Sequence, residues 1–162
     1  MTSVFLSVKS MEIYKARLGN NTDFEFLYQV KVAAEYDAIN QVFGWDEELQ
    51  RTIHLDDWEQ GKPNIISIDG QKVGSYLLLD KGEYFYFCRF FLLPEFQGRG
   101  IGSKILSECL TLAGLKNKPV RLCFLQGNKV ERLYRKFGFN VYGEDKQFVY
   151  MEWNGQGSHN NS

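Results

Sequence analysis

The chain has 162 residues, 44% of them hydrophobic and 15% aromatic, and a net charge of -1. That length and composition suit one domain with a core of its own. The near-neutral balance argues against a nucleic-acid-binding surface as the main role, since such domains carry a clear basic excess, and no apolar run approaches the length of a membrane span.

Met1 to Ser10 has no charge before Lys9 and precedes an internal Met11, so residues 1–10 read as an N-terminal extension. Thr2 to Val8 is too short, and lacks the leading positive charge, for a secretory signal. Strand character follows from Met11 to Leu18. Thr22 with Glu25 three residues on has the pattern of a capping box ahead of Phe24, Leu27, Val30 and Ala34, which predicts a first helix. The pattern breaks at Gly44. Trp45-Asp46-Glu47-Glu48 then opens a second helix with Leu49 and Ile53 on one face, closed by Gly61 and Pro63.

Asn64 to Ile68 and Val73 to Leu79, joined by Asp69-Gly70, predict a hairpin. Asp80-Lys81-Gly82 turns into a central strand, Tyr84 to Leu93, whose aromatic and aliphatic run suits burial on both faces; Pro94 ends it because it cannot donate to a ladder. After the alternate glycines Gly98, Gly100 and Gly102 the period changes, and Ile101, Ile105, Cys109 and Ala113 predict a helix from about Gly100 to Gly114. Val120 to Leu125 reads as another buried strand. Gln126-Gly127-Asn128 leads into a short helix, Lys129 to Phe137, capped by Gly138. Phe139 to Tyr142 and Gln147 to Trp153 form a closing hairpin, so residues 11–154 make one domain and 155–162 a polar flexible tail. Cys88, Cys109 and Cys123 are odd in number, lack metal-ligand spacing and fall on predicted core elements, which points to reduced structural thiols and a cytoplasmic protein.

Strand, glycine turn and helix together make an anion site, because the unpaired amides of the first turn point outward at the positive end of the helix dipole. A dinucleotide fingerprint would need a third glycine where Ser103 stands and an acidic residue about twenty positions on, where the chain has Lys118 and Arg121. A Walker loop would need Gly-Lys-Ser/Thr and finds Ser103-Lys104-Ile105. What Gln97-Gly98-Arg99-Gly100-Ile101-Gly102 resembles is the acyl-CoA-binding motif of the GNAT acetyltransferase superfamily, Gln/Arg-x-x-Gly-x-Gly/Ala. Asn128-Lys129-Val130-Glu131-Arg132-Leu133-Tyr134-Arg135-Lys136-Phe137-Gly138-Phe139 resembles the family's second signature, an asparagine after strand five followed by Leu-Tyr-x-x-x-Gly-Phe. Its spacing is one residue shorter than the commonest form and leaves Asn128 and Gly127 as alternatives for the asparagine site. Gly44 to Gln50 resembles a subgroup of bacterial members. The predicted order of elements, from about Met11 to Trp153, is also the family's.

This resemblance implies an α/β (α+β) fold with a central mixed, mostly antiparallel sheet of about six to seven strands, flanked by about four helices and splayed between strands four and five. It implies an N-acetyltransferase that moves the acetyl group of acetyl-CoA to a primary amine by direct attack in a ternary complex. The alternative is a non-catalytic acyl-CoA-binding or sensing domain. The acceptor would be a small-molecule or peptide amine, with no nucleic acid, membrane or metal, and a homodimer is compatible. The pyrophosphate would lie on Gly98, Arg99, Gly100, Ile101, Gly102 and Ser103, with Gln97 beside them, and the pantetheine arm would pair with the backbone edge at Phe90 to Leu92, making Phe91, Leu92 and Leu93 contacts. Arg99 either adds charge to the pyrophosphate or faces solvent. Asn128 either hydrogen-bonds the cofactor or caps the following helix. Tyr134 is the implied general acid, since a phenol of pKa about 10 stays protonated and can give its proton to a thiolate of pKa about 8 to 9.

No base is legible. The strand segments Tyr84 to Arg89 and Leu122 to Phe124 carry no carboxylate; Glu83 and Glu95 only flank the first, and Asp46 and Glu47 lie on the segment that resembles the family's acceptor-side wall, so a water relay stands level with a direct base. Cys123 as a covalent acyl carrier lacks a thiolate activator in sequence. His54 reads as a surface or boundary residue. Around Val42 to Trp58, which resembles the family's acceptor-side wall, Asp46, Glu47, Glu48, Asp56, Asp57 and Glu59 stand against Arg51 alone. Such a wall would attract a cationic amine, unless these acids only decorate a solvated helix. Trp45 and Trp58 would frame a pocket there or pin the helices.

Overall fold

The computed structural model describes residues 14–155. The expected extension, the first residues of the expected opening strand and nearly all of the tail lie outside them. Strand β1 (Lys15–Leu18) leads through a single 3-10 turn into helices α1 (Phe24–Phe43) and α2 (Glu47–Gln60). Strands β2 (Asn64–Ile68), β3 (Gln71–Asp80) and β4 (Phe85–Leu92) follow, then α3 (Ile101–Leu115), β5 (Val120–Leu125), α4 (Glu131–Lys136), β6 (Asn140–Glu144) and β7 (Phe148–Trp153). The seven strands form one sheet in the order β1-β2-β3-β4-β5-β7-β6. Every neighbouring pair is antiparallel except β4 and β5. The parallel pair is joined through α3, as a crossover requires, while Asp69-Gly70 turns β2 back into β3.

The two sheet faces are filled differently. Helix α3 buries Ile101, Ile105, Leu106, Cys109, Leu110 and Ala113, a stripe at helical period, against Ile66, Val73, Phe85, Phe87, Leu122 and Met151. On the other face α1 buries Leu27, Tyr28, Val30 and Ile39. Residues of β4 alternate between buried and half-buried from Phe85 to Cys88 and stay half-buried from Cys88 to Phe91, so the expected burial on both faces is corrected: this part of the strand opens on a cavity. Close approach of β3 and β4 depends on Gly74, because a Cβ there would stand 2.2 Å from the Phe91 carbonyl oxygen.

The expected capping box on Thr22 and Glu25 is also corrected. Asn20 and Asp23 form the box, with Asn20 Oδ1 accepting from the Thr22 amide and Asp23 Oδ2 from the Asn20 amide at 2.9 Å. Glu25 instead pairs with Arg51 across the two helices at 2.9 Å. Asp23 is fully buried and also receives Arg17 on both oxygens, at 2.8 and 2.9 Å, and Lys72. Arg17 chiefly, with Lys72 and the Asn20 amide, holds its carboxyl well below the usual range against the opposing cost of burial. A depressed folded pKa gives stability that is present above the unfolded value, about 3.9, and is lost as pH falls through the folded one. Replacing Asp23 by Asn is expected to lower stability at pH 7 by about 2 kcal/mol, because Arg17 and Lys72 are only half screened by solvent. Urea melts at pH 7 and pH 3 check this. A variant as stable as wild type at pH 7, or one that loses as much as wild type below pH 4, would show that the cluster contributes little.

Candidate active site

Strands β4 and β5 pair only at Phe85 with Val120 and Tyr86 with Arg121. Past Tyr86 they part, as expected from the sequence. The cause is a bulge in β4: Ser75 of β3 faces Phe91, yet Leu77 faces Cys88, so β4 has one residue more than β3 over this stretch. Within it Arg89 takes φ 49, a left-handed conformation that a non-glycine residue holds only when its surroundings over-determine it. Fully buried Ser75 does part of that by donating its hydroxyl to the Arg89 carbonyl at 2.8 Å.

A cavity of about 890 Å³ fills the angle between the splayed strands and the helices α1 and α2. Tyr134 reaches it from α4, Phe91 from β4, and Asn128 from the loop after β5. Tyr134 is 6% exposed, and burial above all, with the nearby Glu35 carboxylate adding to it, raises its phenol well above the ordinary tyrosine value. Its ring rests on Phe124 and Phe139, so the Leu-Tyr-x-x-x-Gly-Phe spacing brings the tyrosine and the second phenylalanine into one cluster. Asn128 does two things at once. Its Oδ1 accepts from the Val130 amide at 3.2 Å, ahead of α4, and its Nδ2 donates to Glu35 at 3.3 Å. The short helix begins at Glu131, two residues later than expected, since Asn128 turns the chain first.

Glu35 is the carboxylate that sequence reasoning missed. It lies on α1, not on a strand, and burial raises it above the usual carboxylate range while Lys31 and Asn128 act the other way. The available signal was the inward stripe Leu27, Lys31, Glu35, Ile39, four residues apart, in which two charged residues occupy positions that packing alone would fill with apolar ones. Glu83 and Glu95 are exposed and do not line the cavity.

The glycine turn lies outside the cavity lining, at the C-terminal end of β4. Gly100 is the N-cap of α3 at φ 85, and nothing stands within 4 Å of a Cβ built there or at Gly98, so the backbone at this helix start is accessible. Ile101 is buried, and only its backbone faces the turn. Gln97 is engaged by the protein: its Nε2 donates to the Leu92 carbonyl at 3.0 Å. Leu92 is buried, Leu93 gives its amide to Val73, and the Arg99 guanidinium lies 4.9 Å from the centre of the Phe96 ring.

Other expectations change on the acceptor side. His54 is buried, its Nε2 donating to the Phe24 carbonyl at 2.9 Å, and burial lowers its pKa. It is neither surface nor boundary, because Phe24 and Tyr28 enclose the ring. Cys88 and Cys123 line the cavity and only Cys109 is core; the Tyr86 hydroxyl meets Cys123 Sγ at 3.2 Å. Of the acids near the wall, Asp46 and Asp57 line the cavity. Glu47 is held outside it by Tyr28, Trp45 and Arg51. Lys31, Lys81 and Arg89 line it as well, so the lining is balanced in charge. Trp58 lines it and packs edge-on against Phe24, while Trp45 lies against Tyr36.

Fold and site together define a splayed-sheet acyltransferase architecture, and the family model for the GNAT acetyltransferase domain matches residues 61–141, half of the chain. The chain belongs to the GNAT family. No curated protein matches it in sequence. Among solved structures it is similar to the PaiA N-acetyltransferase of Thermoplasma acidophilum in complex with coenzyme A, at 19% identity and TM-score 0.67 over 88% of this chain and 99% of that one. It is similar also to the ribosomal-protein-S18-alanine N-acetyltransferase of Escherichia coli, at 15% and 0.64 over 87% and 93%. PH1933 of Pyrococcus horikoshii has the same fold at 21% and 0.71 over 88% and 98%. Among the described residues no group of side chains is arranged to hold a metal, and no helix is long and apolar enough to cross a membrane.

Proposed function

We propose that the protein is an N-acetyltransferase that transfers the acetyl group of acetyl-CoA to a primary amine within a ternary complex, residues 11–154 forming the catalytic domain. The observation that carries this reading is the convergence of Tyr134 and Glu35 on the cavity beside the β4 and β5 splay, with an accessible helix N-terminus at the end of β4. The amides of Gly98, Arg99, Gly100, Ile101, Gly102 and Ser103 hold the pyrophosphate. The β4 edge at Phe91, Leu92 and Leu93 receives the pantetheine amides, with Gln97 fixing the Leu92 carbonyl.

The acceptor nitrogen attacks the thioester carbonyl, a C–N bond forms and the C–S bond breaks. Glu35 takes the proton that the amine sheds, directly or through water, and its raised pKa makes it a better base near neutrality than an exposed carboxylate. Asn128 orients that carboxylate. Tyr134 gives its proton to the departing thiolate. The test is thiol release from acetyl-CoA across an amine panel, with a pH–rate profile on the best acceptor. Turnover is expected, together with an acid limb that disappears in Glu35→Gln as kcat falls about a hundredfold. CoA binding without turnover on any amine would make the protein an acyl-CoA-binding domain instead.

A further inference from the structure

Charge does not choose the acceptor, because the cavity lining is balanced, so the choice falls to its apolar part. Leu49 and Ile53, one helical turn apart on α2, line the cavity and are still 52% and 36% exposed. The polar side chains beside them are engaged or covered. Asp46 accepts from the Leu49 amide at 3.0 Å to cap the helix, His54 donates to the Phe24 carbonyl at 2.9 Å, and Gln50 is buried. Phe43, at the end of α1, lines the same cavity at 50% exposure, its ring 6.1 Å from that of Phe148 on β7, which lines it too. Large apolar side chains left open to water cost free energy, and inside a concave space they mark what the space holds. Leu55 shows the difference, since it is as exposed on the same helix but lies outside the lining. On the acetyltransferase reading the pyrophosphate sits at the glycine turn, outside the cavity. The volume of about 890 Å³, in the range that takes a drug-sized ligand, therefore has room for more than the acetyl group and the end of the pantetheine arm.

Resting on the acetyltransferase reading, we propose that the acceptor is a primary amine borne on an apolar alkyl or aryl group, which lies against Leu49, Ile53 and Phe43 with its nitrogen turned toward Glu35. The apolar seat serves the chemistry as well as the binding. It disfavours the ammonium form, so more of the bound amine is the free base that attacks, whereas spermidine would have to bury further charges on the same surface. The apolar group belongs either to a free amine or to the first side chain of a peptide, and the protein selects either over a polycation by the surface it covers.

The experiment measures thiol release at saturating acetyl-CoA, and calorimetric binding in the presence of CoA, for ethylamine, butylamine, hexylamine, 2-phenylethylamine, glycinamide, leucinamide and spermidine. The value of kcat/KM is expected to rise about threefold per methylene along the alkyl series, and the best apolar amine to exceed ethylamine and spermidine at least about tenfold. Whether hexylamine and 2-phenylethylamine or leucinamide leads decides between a free amine and a peptide N-terminus. Leu49→Gln and Ile53→Gln stand at exposed positions and leave the fold intact. Each is expected to cut the hexylamine-to-ethylamine ratio of kcat/KM about fivefold, through KM and not kcat, with KM for acetyl-CoA unchanged, and Leu49→Met to restore it. A flat response to chain length, a preference for spermidine, a ratio unchanged in both Gln variants, or a rise only in KM for acetyl-CoA would overturn the proposal. So would a change from dimer to monomer by sedimentation in those variants at an unchanged ratio, which would assign the apolar surface to a second copy of the chain. Selective binding of the apolar amine without thiol release would support the proposal and count against the acetyltransferase reading alone.

Discussion

Replacing Tyr134 by Phe is expected to lower kcat about a hundredfold or more while KM for acetyl-CoA stays within a few-fold, the signature of a group that acts only as the thiolate leaves. Burial keeps the phenol protonated throughout the working pH range, so the donor form is always present. A phenol raised this far is a weak acid, but the leaving thiol shares its surroundings. Loss of hydration raises the basicity of a thiolate formed beside Tyr134 in the same direction as it raises the phenol. The substitution removes one oxygen and leaves the ring on Phe124 and Phe139, so thermal stability should barely change. A Phe variant with full turnover would return Tyr134 to a packing role.

Acetyl-CoA is expected to raise the Tm of the wild type, and Gly100→Glu to abolish that rise. Ligand present at about a hundred times its Kd stabilises a folded protein by about 2.7 kcal/mol, so the whole shift is open to loss. Gly100 is the better of the two glycines for this test. Its Cβ would meet nothing within 4 Å, whereas a Cβ on Gly102 would come within 2.9 Å of the Phe90 ring, so that Gly102→Glu adds a packing defect to the charge. Gly100→Ala is the control for backbone strain at φ 85: it should lower the Tm of the free protein, at a cost of about 1 to 2 kcal/mol, yet retain the ligand-induced rise. A rise that persists in Gly100→Glu would remove the pyrophosphate from the helix start.

The sequence by itself determined the order of elements, because period, turn residues and capping residues are local properties. Asn64 to Ile68 and Val120 to Leu125 are strands with the bounds expected, and α3 runs within a residue of its expected limits. The glycine turn and the Tyr134 signature were legible for a related reason: an accessible helix start and a tyrosine five residues before Phe139 are set within one stretch of chain. Capping was less secure. The box forms two residues earlier, on Asn20 and Asp23, and Asp23 also draws in Arg17 and Lys72 from β1 and β3.

Only the tertiary structure decided the cavity. Glu35 and Tyr134 are far apart in sequence, and α1 presents a carboxylate where the strands have none. Nor does composition tell which acids of the acceptor side face inward; Glu47 is drawn out of the cavity by Tyr28, Trp45 and Arg51, while Lys31 and Arg89 are brought in. The bulge that swings Arg89 inward depends on Ser75 from the neighbouring strand. Electrostatic character at a site is a sum over elements that meet only on folding, whereas helical and strand periods are written residue by residue along one element.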